Sequence, residues 1–194
     1  MTNANFDLPI RSVAAGREAT AWLTLGLVSL LAAGVFSLLL VLARTPVVQG
    51  LIPFLDFFRV ALVVHVILSV LIWLLAVSAA CWSLSTSRNR PIWDRLSFSL
   101  AALGTIVIIV CPFIGAGKPL MNNYVPILQH PLFYAGLLLF AAGICSHLIR
   151  TLLDRKRLAA GLDGTAALGF GITLSAVLTG VSIISIFLSW RGLP

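Results

Sequence analysis

The sequence predicts an all-α, polytopic membrane protein: a bundle of about five transmembrane helices with a cytoplasmic N-terminus. Three observations carry this prediction. First, 60% of the 194 residues are hydrophobic, only 10% are charged, and the mean hydropathy is +1.08. A soluble domain carries roughly a quarter charged residues, so a water-facing surface cannot be built from this composition. Second, apolar runs of about 20 residues, enough to cross a hydrocarbon core, recur along the chain. Third, the basic residues between those runs are divided unequally between alternate loops.

The runs cover 19–43, 60–85, 96–117, 131–149 and 165–190. Each is bounded by charge: Arg17-Glu18 and Arg44, Asp56 and Arg59, Arg95 and Lys118, Arg150, and finally Arg191. None contains a charged side chain, and none alternates polar with apolar residues as a β-barrel strand does. The first run follows a long polar tail and exceeds the apolar region of a signal peptide, so it reads as a retained helix. The expected division is a cytoplasmic tail (1–18), a five-helix membrane domain (19–190) and a short outer tail (191–194). Trp22, Trp93 and Trp190 stand near expected interfaces and read as belt anchors.

Loop charge sets the orientation. Arg11, Arg17, Arg88, Arg90, Arg95, Arg150, Arg155, Lys156 and Arg157 fall on one side, and Arg44, Arg59, Lys118 and Arg191 on the other. The positive-inside rule places the richer side in the cytoplasm. The net charge of +7 therefore points to lipid headgroups, not to nucleic acid. The outer loops, TPVVQGLIPFLDF and GKPLMNNYVPILQHP, are longer and poor in charge, suited to lying along the membrane or covering a neighbouring subunit. Cys81, Cys111 and Cys145 lie in separate runs without CxxC spacing and read as packing residues.

An ionisable side chain inside a span is costly and marks a functional hypothesis. His65, in FFRVALVVHVILSVLIWLLAVSAACWSL, lies about one and a half turns into the second helix. That puts it roughly 8–10 Å below the outer end at 1.5 Å per residue. Ser69, Ala76, Ala80 and Ser83 follow at helical spacing and form a small-residue stripe suited to close packing. His65 thus points toward protein. Two roles stay open: axial ligation of a heme iron, or a hydrogen bond to a hydroxyl on a neighbouring helix. His130 reads as a surface residue before a helix-starting proline, and His147, beside Arg150, lies at the opposite depth from His65. Ser175, Thr179, Ser182 and Ser189, with Gly169 and Gly180 nearby, suggest a helix-gluing face on the fifth span. The spans lack carboxylates, which argues against an ion pathway confined to this chain.

The segment around His65 resembles the second transmembrane helix of subunit I of the heme-copper oxygen reductases, the cytochrome c oxidase family. MNNYVPILQHPLFYAGLLLFAAG is similar to the connection between helices three and four in some divergent members. The resemblance covers most of the chain as the family's first five helices. It implies that His65 is an axial ligand of a low-spin heme, b- or a-type, and that Arg59 contacts a heme propionate. It also implies electron transfer to an oxygen-reducing site, a cytochrome c-like donor, and a bacterial cytoplasmic membrane. The family's second axial histidine and copper ligands lie on later helices that have no counterpart here, and Ile67 stands where relatives often carry an acidic residue. The implied protein is therefore a component of an oxidase-like oxidoreductase, inactive alone, with the second heme ligand and remaining helices in a partner chain. The alternative is a heme-free accessory or scaffold subunit on the same fold.

Overall fold

The computed structural model describes residues 12–46, 57–85, 90–114, 117–120, 126–153, 171, 173–182 and 184. The outer parts of both tails, Arg11, Arg88, Arg155–Arg157, Ser189, Trp190, Arg191 and the ends of the fifth run lie outside the described residues.

Among the described residues, four helices are long and apolar enough to cross a membrane. Helix α1 (Val13–Leu42) starts where Ser12 accepts a hydrogen bond from the Ala15 amide at 3.1 Å, satisfying an otherwise orphaned N–H. Helix α2 is continuous from Phe57 but changes its winding: α over Phe57–Val66, π over Ile67–Ile72, and α again over Trp73–Ser85. Helix α3 (Pro91–Val110) opens with proline at its first position and tightens into a 3₁₀ turn over Cys111–Ile114. Helix α4 (Pro131–Leu153) also opens with proline, and the His130 ring accepts the Leu132 amide at 3.2 Å. The described part of the fifth run is a shorter apolar helix, α5 (Thr173–Ser182). The protein is thus a helical bundle of four to five membrane-length apolar elements, and lipid is the solvent for its surface.

Two helix pairs make the bundle: α1 packs along α2, and α3 along α4, with the second half of α2 joining the pairs through α4. The α3–α4 seam is made close by small residues. A Cβ at Gly104 would stand 2.5 Å from the Gly136 oxygen, and one at Gly143 would stand 2.5 Å from the Ser97 oxygen. Without a hydrophobic drive between helices in lipid, such backbone approach and interhelical hydrogen bonds hold the pair. Ser97 donates to the Ser146 hydroxyl at 2.9 Å, and the Trp93 indole donates to the same hydroxyl at 2.8 Å.

The structure revises several expectations. The connection between α3 and α4 forms a small antiparallel hairpin, β1 (Lys118–Leu120) with β2 (Ile127–Gln129), against α2 and α4. Leu128, on β2, is fully buried. Gly117, at φ 82°, makes the bend into the hairpin in a region that favours glycine. Trp22 is no belt anchor: it is fully buried, edge-on to Phe98 at 5.6 Å between ring centroids. Trp93 is half-buried and tied to α4. On α5, Ser175 and Ser182 are exposed and Thr179 is half-buried, while Ala176 is buried and Gly180 faces Leu148. The hydroxyls there do not form a buried seam, and Ser182 returns its hydrogen bond to the Leu178 carbonyl. All three cysteines are free thiols.

Candidate cofactor-binding site

His65 is the penultimate residue of the first α segment of α2, two positions before the π turn begins at Ile67. Its ring reaches α1, with Nδ1 2.8 Å from the Ala33 carbonyl oxygen. A carbonyl only accepts, so Nδ1 carries the proton and donates. That fixes the tautomer, leaving the lone pair on Nε2, which has no hydrogen-bond partner among the described residues. A ring oriented through Nδ1–H to a backbone carbonyl, with Nε2 open, is the usual preparation of a metal-binding imidazole. The residue is half-buried, as are its helix neighbours Leu62 and Val66.

The π turn explains why His65 is not at the centre of the small-residue stripe. Hydroxyls feed the carbonyls around it: Ser69 donates to the His65 oxygen at 2.7 Å, and Ser29 of α1 sits 3.3 Å from the Leu68 oxygen. Side chains inserted in this way are a known cause of local unwinding. One extra residue in the turn delays the following register by about 100°. The expected stripe, Ala76, Ala80 and Ser83, is buried, as are Ala79 and Trp82. The residues below the turn that align with His65 become Val77, Cys81 and Leu84, which are half-buried or exposed. Single-turn π segments are frequent at functional sites, and nothing in the residue types foretells this one.

Arg59 is exposed at the outer end of α2 and has no ion-pair or hydrogen-bond partner among the described residues. It stands six positions before His65, so the two are about 9 Å apart along the axis and about 120° apart around it. They flank the half-open face from two sides and do not touch it from one. Arg44, by contrast, is stacked on Phe58 at 4.2 Å. His130 is used as the cap of α4.

A second group of polar residues escaped the sequence reading. At the end of the bundle that carries the N-terminus, α1, α3 and α4 bring Glu18, Asp94, His147 and Arg150 together. Arg150 Nη1 lies 2.6 Å from both Glu18 oxygens and 2.8 Å from Asp94 Oδ1. His147 is fully buried, its Nδ1 3.2 Å from Glu18 Oε1 and its Nε2 3.1 Å from the Ala79 oxygen. The Nδ1 contact is close but poorly aligned as a hydrogen bond. These charges fall within the helices because α1 begins six residues before the apolar run and α4 ends four residues after it. The signal available in the sequence was that Glu18, Asp94 and Arg150 border three different spans at one membrane face.

No family model matches the chain, and no solved structure matches it. Two bacterial proteins are similar to it. One is the uncharacterized protein RP382 of Rickettsia prowazekii, 34% identical over 158 residues, covering 69% of this chain and 31% of that protein. The other is an uncharacterized protein of Aquifex aeolicus, 34% identical over 131 residues, covering 68% of this chain and 33% of that protein. The chain therefore spans about a third of the length of the curated relatives it matches.

Proposed function

We propose that this chain is a membrane component of a respiratory oxidase-like complex and that His65 Nε2 is one axial ligand of its low-spin heme. One observation supports this reading above the others: the Nδ1 donor of His65 is already engaged by the Ala33 carbonyl, and Nε2 is left open. The donor set fits the group, since neutral imidazole is a common axial ligand of heme iron. A bound heme supplies reversible one-electron transfer. The chain's own part is to hold and orient the ring, exclude water, and balance charge. The Ala33 carbonyl fixes the imidazole plane and leaves Nε2 as the donor atom. Arg59, without an ion-pair partner among the described residues, is suited to pair with a carboxylate such as a propionate.

Further helices supply the second ligand and the oxygen-reducing centre on this reading. The length of the relatives agrees with such helices, whether on a partner chain or on a longer polypeptide. The electron donor is a cytochrome c-like protein at the outer face, and the membrane is the bacterial cytoplasmic membrane. The optical spectrum of the purified complex tests the proposal. A reduced low-spin band is expected in the wild type and absent in His65→Ala; a six-coordinate band that survives the substitution contradicts it.

The rival reading is a heme-free scaffold subunit. The same Nδ1–carbonyl bond favours it, because an interhelical tie is sufficient reason for a buried histidine. His65→Asn separates the two. Its amide N–H can restore a tie to Ala33 but cannot replace the imidazole on iron, so a scaffold keeps its thermal stability and complex assembly, whereas a heme protein loses pigment.

A further inference from the structure

A cavity of about 300 Å³ opens between the N-terminal parts of α1 and α3. Arg17, Glu18, Asp94 and Arg95 line it, and Trp22 and Phe98 wall it on the membrane side. The charges are not evenly matched. Glu18 and Asp94 are both engaged by Arg150, at 2.6 and 2.8 Å. Arg17 and Arg95 are exposed and have no ion-pair or hydrogen-bond partner among the described residues. The cavity therefore presents two uncommitted guanidinium groups, while its carboxylates are held elsewhere. The helix geometry adds to this: α1 and α3 both point their N-terminal, partially positive ends to this face, and Arg90 gives α3 no side-chain cap.

We propose that this cavity binds the phosphate headgroup of an anionic phospholipid of the inner leaflet. Arg17 and Arg95 hold the phosphate oxygens, and the half-buried Phe98, with Ala21 opposite, receives the start of an acyl chain. The combination of paired cations with an aromatic wall, at the end of membrane-spanning helices, selects an amphiphile over a free anion. Guanidinium groups suit phosphate because their N–H fork matches its oxygens. This site is independent of His65 and of any heme.

Native mass spectrometry of the full-length protein tests it, with dioleoylphosphatidylglycerol, dioleoylphosphatidylcholine or inorganic phosphate added to the micelle. The wild type is expected to retain phosphatidylglycerol over phosphatidylcholine. Each arginine near an anionic surface contributes about five-fold, so Arg17→Gln/Arg95→Gln should weaken phosphatidylglycerol retention by about 25-fold. Arg44→Gln, which removes one positive charge at the opposite end as Arg95→Gln does at this one, should leave it unchanged. Wild-type retention in the double variant overturns the proposal, as does an equal loss in Arg44→Gln, which would mean a diffuse charge effect. Displacement of the lipid by an equal concentration of inorganic phosphate also overturns it, since the apolar wall then plays no part. If circular dichroism shows the double variant misfolded, Arg95→Gln alone decides, with a loss of about five-fold expected.

Discussion

A single hydrogen bond sets the chemistry available to His65. Because the Ala33 carbonyl accepts the Nδ1–H hydrogen bond, the nitrogen left with a lone pair is Nε2. On the proposed reading, replacing His65 with methionine keeps an axial donor but changes its kind, and His/Met ligation raises a heme's potential. Potentiometric titration of the complex should therefore show His65→Met shifted upward, with the low-spin band retained. Arg150 is the other decisive side chain. It is 2% exposed and holds two carboxylates from two different helices. Arg150→Met leaves those carboxylates uncompensated, which costs about 3–5 kcal/mol for a buried pair. A large fall in the melting temperature in detergent is expected, with partial recovery when Glu18→Gln is added. The identity of His65 as a candidate was legible because a histidine inside an apolar run stands out. The cluster around Arg150 was not, since each of its members is unremarkable at the end of its own run, and only the packing of α1, α3 and α4 brings them together.

At the scale of elements, the apolar runs located α1 to α4, and the charged residues misplaced their ends. The helices continue past the hydrocarbon length because backbone hydrogen bonding does not stop where hydropathy does; α1 has 30 residues, about 45 Å at the α-helical rise. Trp22 was misread because position near a run's end suggested the interface, whereas its direction, toward Phe98 and His147, is set by helix rotation. The π turn in α2 and the hairpin at β1 and β2 arise from hydroxyl insertion and from tertiary contact, neither of which leaves a periodic trace. The α3–α4 seam carries its own prediction. Gly143→Leu drives a side chain into the α3 backbone, where a Cβ alone already meets Ser97 and Ala101. Overpacking of this kind costs about 1–3 kcal/mol or more. Thermal melts should show a clear loss for Gly143→Leu and a small one for Gly34→Leu, where the structure leaves open space.

At the scale of the whole molecule, loop charge predicts an inside N-terminus, and accessibility can check it. In a background with Cys81, Cys111 and Cys145 replaced by alanine, a cysteine at Thr45, at the outer end of α1, should react with a membrane-impermeant maleimide in intact cells. One at Ser12 should react only after lysis. The reverse pattern contradicts the orientation. The half-open face around His65 also belongs to this scale. The chain spans about a third of its relatives' length, and on the proposed reading further helices cover that face and contribute the second ligand. The most direct measurement is pulsed electron paramagnetic resonance of the oxidised complex prepared with ¹⁵N-histidine. Ligation by His65 predicts an imidazole ¹⁵N coupling in the wild type that disappears in His65→Met; an unchanged set of couplings in that variant contradicts it.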